Sequence, residues 1–188
     1  MSKLFLFAIG GTGSRVVKSL TMLLASGVEM KNVSAVIPII VDPHRANEDL
    51  KRTENLLKTY KRIRDGLPNK PAAGDFFGTE IKTLKNIVQN SDRMSDTYTF
   101  ELKGVNNETF GNYIDYDSLD GKADGFSPYP ANLALANLLF SKENLETSME
   151  IGFVGNPNIG SVVLNQFKES EEFKQFAANF SKDDRIFI

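Results

Sequence analysis

No cysteine occurs among the 188 residues, which excludes disulfides, thiolate nucleophiles and Cys-ligated zinc or iron–sulfur sites together. The absence fits a reducing compartment, and cytoplasm is the expected location. Histidine appears once, as His44. With no Ser nucleophile or metal-ligand partner at a telling spacing, it reads as a solvated or capping residue and not as a general base. Charge of one sign is lacking too: 22 Lys and Arg against 24 Asp and Glu leave a formal charge of −2. No global basic field draws the chain to nucleic acid or an anionic membrane, so neither is an expected partner. No apolar run approaches the roughly 20 residues that span a bilayer. The N-terminal "MSKLFLFAIG" lacks an A-x-A cleavage pattern and leads straight into glycines, as a buried first strand does. Internal repeats and low-complexity tracts are also missing.

What is present belongs to a globular protein. Hydrophobic residues make up 41% and charged residues 24%, enough apolar surface for one α/β domain, or one domain with an insertion. Lys3 to Ile9 reads as a buried strand. Three glycines interrupt it, after which Val16, Val17, Leu20, Leu23 and Leu24 recur at helical spacing. "SAVIPIIVD" (Ser34 to Asp42) reads as a second strand, parallel to the first through a crossover helix. A long polar helix is expected from Pro43 to about Arg64, closed by Gly66 and Pro68. Its basic residues Lys58, Lys61, Arg62 and Arg64 read as a solvated face. Residues 69–130 are punctuated by Gly and Pro and read as an insertion, with "TYTFEL" (Thr97 to Leu102) alternating like a strand. Ala131 to Ser141 reads as a helix that packs through Leu135, Leu138 and Leu139. Phe173, Phe176, Ala177 and Phe180 mark another amphipathic helix, and "RIFI" (Arg185 to Ile188) a core strand.

Chemistry concentrates in three turns. In "FAIGGTGSRVV", a strand must reverse into a helix whose first N–H groups lack intrahelical partners and whose dipole favours negative charge. A phosphate satisfies both needs. Gly10, Gly11 and Gly13 let the backbone approach such a ligand, and Thr12 and Ser14 add hydroxyl donors. Dinucleotide and S-adenosylmethionine sites share this pattern, and glycines also serve close helix–strand packing alone. The lysine of a G-x-x-x-x-G-K loop is missing, which excludes a Walker-type site. Asp42, at the end of the second strand, suits ribose hydroxyls, water on a phosphate-bound Mg²⁺, or the N-cap of a following helix. "GNPNIGSVV" is a further glycine-rich turn opening a helix, in which Gly155 and Gly160 permit close approach and Pro157 suits a helix start; an ordinary Asn-Pro turn reads the same way.

Together these segments resemble the tubulin/FtsZ superfamily, and most closely its bacterial tubulin-like proteins. "AIGGTGSRVV" is similar to the first phosphate loop, G-x-G-G-x-G-x-N, and "IIVDPHRA" to the second, N-T-D-x-x-A. "GNPNIGSVV" resembles the G-N-P-E-x-G turn of the third, and "DDRIFI" the strand leading to a G-G-G-T-G-T-G signature. The resemblance implies an α/β fold, a Rossmann-like parallel sheet with flanking helices of the tubulin/FtsZ GTPase-domain type, with a mid-chain insertion. It implies GTP and Mg²⁺ as cofactors, with Gly10, Gly11, Thr12, Gly13 and Ser14 facing phosphate. Asp42 then acts on the metal through water, and Gly155, Asn156, Pro157 and Gly160 face the terminal phosphate. It also implies cytoskeletal, nucleotide-dependent self-assembly into filaments. The signature loop, and the later segment whose water-activating acidic residue is supplied in the family by the neighbouring subunit of a filament, are not among these 188 residues. The sequence therefore reads as the N-terminal part of a nucleotide-binding domain, and no catalytic residue is assigned. Ala8, Arg15, Ile40 and Val41 depart from the family pattern, so base contacts are not carried over to them. An NAD(P)-binding or adenylating enzyme of Rossmann type is the alternative, and a scaffold domain that binds no ligand a third.

Overall fold

The computed structural model describes residues 2–44, 47–88, 92, 94–120, 127–153 and 155–188. The chain runs β1 (Ser2–Ile9), α1 (Gly10–Ala25), β2 (Val33–Val41), α2 (Glu48–Asp65), β3 (Glu80–Ile81), β4 (Thr99–Phe100), α3 (Phe110–Tyr113), α4 (Tyr116–Asp120), α5 (Pro130–Leu139), α6 (Lys142–Glu146), α7 (Pro157–Leu164), α8 (Glu171–Asn179) and β5 (Arg185–Phe187). It divides into two compact units, residues 1–101 with 167–188, and residues 102–166. Of the stretch read as an insertion, residues 69–101 belong with the first unit, where they supply β3 and β4.

The first unit is a parallel five-stranded sheet in the order β3-β2-β1-β5, with β4 also pairing β2. The expected Rossmann-like α/β class is what the chain adopts. Seven consecutive buried residues, Ala35 to Val41, mark β2 as covered on both faces. Alternation along β1 assigns its faces. Leu6 and Ala8 join Val17 and Leu24 of α1 and Leu57 and Tyr60 of α2 in one core cluster. Phe5 and Phe7 instead meet Phe176 of α8 edge-on, at ring-centroid distances of 4.9 and 5.5 Å. Phe167 extends this aromatic layer to Phe7 and Phe100. Helices therefore cover both faces of the sheet.

Pro38 lies inside β2, a place where proline removes a ladder donor. The outer neighbour of β2 comes in two pieces, β3 opposite Ala35 and Val36 and β4 opposite Ile40 and Val41. Val36 O accepts from Lys82 N–H at 2.9 Å and Ile40 N–H donates to Tyr98 O at 2.8 Å. Pro38 has the same parity, so its missing donor falls in the gap between the two pieces.

The last strand differs from its expected setting. β5 pairs with β1, but at the sheet edge, and Ile186 and Phe187 are 46% and 58% exposed; it is a strand without being a core strand. Its start is fixed by Asp184, whose buried carboxylate accepts from the N–H groups of Lys3 (2.7 Å) and Ser181 (2.9 Å) and pairs with the Lys3 ammonium (2.9 Å). Burial works against that charge, but the Lys3 and Ser181 bonds outweigh it and hold the carboxyl below its ordinary value.

In the second unit Val105, Phe110, Met149, Ile159 and Val163 are at most 1% exposed. Thr109 and Ser148 form an antiparallel bridge, flanked by Phe110 N–H to Thr147 O and Met149 N–H to Glu108 O, both 2.9 Å. α5 forms where periodicity predicts it, yet its apolar face does not pack: Leu135, Leu138 and Leu139 are 54%, 81% and 43% exposed. Among the described residues, no helix is long and apolar enough to cross a membrane.

Candidate functional site at the carboxyl end of the sheet

The chain leaves β1 toward β2 on one side, and β5 returns on the other. The carboxyl end of β1 is thus a switch point, where open α/β sheets leave a crevice for ligands. α1 begins there. Ile9, its N-cap, has extended dihedrals and makes no side-chain cap bond, and no acidic residue lies in the first turn. Its leading N–H groups therefore carry the helix's positive end without a side-chain cap among the described residues. α2, starting beside it, is the opposite case. Asn47 caps it, accepting from Asp49 N–H at 2.9 Å, and Glu48 and Asp49 supply negative charge in its first turn. Of these two helix starts, α1 is the one suited to an anion.

The glycines of this turn have different tasks. Gly10 adopts φ +66°, which L side chains rarely take, and lets the strand break directly into the helix. Gly13 faces the strand: a Cβ there would stand 2.7 Å from the Ala8 carbonyl carbon and 2.9 Å from its Cα. Close packing of helix on strand thus requires Gly13, whatever else binds. At Gly11 a Cβ would meet only the Asn47 amide nitrogen, at 3.1 Å. Thr12 is exposed, and its hydroxyl accepts from the Arg15 guanidinium at 3.3 Å. Arg15 also lies 3.9 Å from Asp49, an exposed and hence weakly stabilising pair. Ser14 is fully buried. Its carbonyl accepts from Thr53 Oγ1 of α2 at 3.0 Å, while its own hydroxyl is enclosed with no partner among the described residues.

Asp42 lies one residue past β2 and is 5% exposed. One carboxylate oxygen accepts from His44 N–H and the other from Asn47 Nδ2, each at 2.9 Å. This turn moves the start of α2 to Glu48. The helix does not begin at Pro43, and Asp42 is not its cap, because the Asp42–His44 turn and the Asn47 cap intervene. Among the described residues each oxygen of Asp42 has one hydrogen-bond donor, and a carboxylate oxygen accepts two, so the residue suits water on a metal or a ribose hydroxyl. Among the described residues, no group of three or more His, Cys, Asp or Glu is placed to hold a metal ion. Arg45 and Ala46 of the second loop lie outside the described residues.

Asn47 is the functional candidate that motif reading missed. Its amide bonds Asp42, caps α2 and lies against Gly11 of α1, tying the three together. The signal was present: Asn followed by Glu-Asp ahead of apolar-periodic Leu50 and Leu57 is an N-cap pattern.

The third turn belongs to residues 102–166. Gly155 is exposed at φ +72°, and Pro157 is the first residue of α7. Asn156 accepts from Asn144 Nδ2 at 3.1 Å and makes no side-chain cap bond to α7. Gly160 is buried, with space for a Cβ 3.5 Å from the Phe153 ring. Comparison with protein-family models, with curated proteins and with solved structures finds no match for this chain.

Proposed function

We propose that this chain is a nucleotide-binding domain of tubulin-like kind, taking GTP with Mg²⁺ at the carboxyl end of β1 and using it to control self-assembly. One observation carries the nucleotide reading: the uncapped start of α1 opens at the sheet's switch point, beside a buried carboxylate. The N–H groups of the first turn, from Gly10 to Gly13, would donate to phosphate oxygens, with the Thr12 hydroxyl beside them. Asp42, oriented by His44 N–H and Asn47, would accept from water on the phosphate-bound Mg²⁺. The metal would supply charge neutralisation between phosphates. Guanine preference and assembly into filaments rest on the order of the four sequence segments. Gly155, Asn156, Pro157 and Gly160 enter the reading through that order alone.

A specific observation favours a second reading. Gly13 pressed onto Ala8, and an acidic residue at the end of β2, are also what a dinucleotide fold uses for helix–strand packing and for the ribose. Thermal-shift measurements with GTP, ATP, NAD, NADP and S-adenosylmethionine, each with and without Mg²⁺, separate the two. Saturation at about a hundred times Kd adds about 2.7 kcal/mol to stability. Mg²⁺-dependent stabilisation by GTP alone is the expected result. Stabilisation by NAD or NADP replaces the reading with the dinucleotide one, and no response to any of them supports a scaffold domain.

A further inference from the structure

Residues 102–166 are entered and left through neighbouring points of the chain, and one side chain joins those points. Gln166 Oε1 accepts from Lys103 N–H at 2.8 Å, while Gln166 Nε2 donates to Lys103 O, also at 2.8 Å. The primary amide therefore closes a two-bond ring with the Lys103 backbone, as a paired strand residue would. Nε2 also lies 2.8 Å from the Tyr113 hydroxyl, joining α3 to the same clasp. Immediately after Lys103 the chain turns at Gly104, φ +68°, where the Tyr113 ring lies 3.8 Å from a Cβ position. Residues 102–166 cluster as a compact unit, and within it Val105, Phe110, Met149, Ile159 and Val163 are at most 1% exposed.

We infer that Gln166 is a clasp closing residues 102–166 into one cooperative unit that opens and recloses independently of the sheet. Ends held side by side leave little loop-closure entropy to be lost on each reclosing, and a compact unit with several fully buried apolar side chains suits cooperative opening. The inference does not depend on any ligand.

Native-state hydrogen exchange on the full chain, at rising urea below the unfolding transition, tests it. In the unsubstituted chain, protected amides of residues 102–166 should converge on one opening free energy, lower than that of the β1 and β2 amides. Gln166→Ala should speed exchange across the 102–166 block about five- to thirtyfold, leaving β1 and β2 unchanged. Gln166→Glu, which keeps the acceptor but sets a carboxylate oxygen against Lys103 O, should do the same. The inference is overturned if the two units share one opening free energy in the unsubstituted chain, a measurement that needs no variant to fold. It is equally overturned if the substitutions affect Lys103 alone, affect nothing, or speed β1 and β2 by the same factor.

Discussion

The turn at Gly10–Gly13 and the turn at Gly155–Gly160 look alike as text, since each sets glycines before a helix with apolar periodicity. Their physics differs because of what precedes them. Gly10 follows an eight-residue strand with four buried residues, its helix packs on that strand, and a Cβ at Gly13 would run into the Ala8 backbone. Among the described residues, Pro157 opens a helix that follows a short 3₁₀ turn, Met149–Ile151, and the atoms nearest a Cβ at Gly160 belong to the Phe153 ring, at 3.5 Å. The first turn is rigidly determined by the sheet; the second is held by side chains. A glycine motif thus takes its meaning from the surface its helix packs against.

That contrast yields ordered expectations. Gly13→Ala should destabilise the protein by about 2–3 kcal/mol, since overpacking against backbone atoms cannot be relieved by a rotamer change. Gly160→Ala should be neutral or stabilising by up to about 1 kcal/mol, because the helix gains propensity and the space exists. Urea unfolding of both variants measures the pair, and equal costs would erase the distinction. Gly10→Ala and Gly155→Ala, by contrast, should each cost about 1–2 kcal/mol, since both positions take left-handed dihedrals with nothing within 4 Å of a Cβ.

High pH weakens the unit that holds the first turn. Burial, augmented by Asp96 and Asp65, pushes the Tyr98 phenol up to about 12, and burial pushes Tyr60 up to about 12 against the opposing Arg64 charge. Both phenols stay protonated when folded, while in the unfolded chain they ionise near pH 10. The unfolded state therefore binds fewer protons above that point, and stability falls by about 1–2 kcal/mol between pH 10 and 11. Exchange rates of β2 and α2 amides across that range, corrected for intrinsic rates, report it. Asn47→Ala should cost about 1 kcal/mol through the lost α2 cap. A circular-dichroism melt would show it, and an unchanged melting temperature would remove Asn47 from the account.

The sheet was legible because its strands are written twice, in β-branched or aromatic runs and in the glycines or Asp-Pro that end them. β1, β2 and the crossover between them follow from those signals alone. β4 falls inside the alternating run Thr97 to Leu102, but β3 was not legible, because a two-residue strand carries no period, and the way both pieces flank Pro38 on one edge depends on the neighbouring strand. Leu135, Leu138 and Leu139 predicted a packed face that is exposed, since periodicity reports what a helix can bury and not what it meets. At the site, Gly10 and Asp42 stand where strand ends put them. Asn47 passed unnoticed because its role depends on contacts across three elements, and a pattern search reads one segment at a time.

A titration of Mg²⁺·GTP into ¹⁵N-labelled protein, followed by amide resonances, reads nucleotide binding at the start of α1 residue by residue. The account predicts saturable shifts led by Gly11, Thr12 and Gly13, with the Asn47 side-chain amide moving at the same ligand concentration. Unmoved α1 resonances at millimolar nucleotide, with either no shifts or shifts confined to other elements, would contradict it.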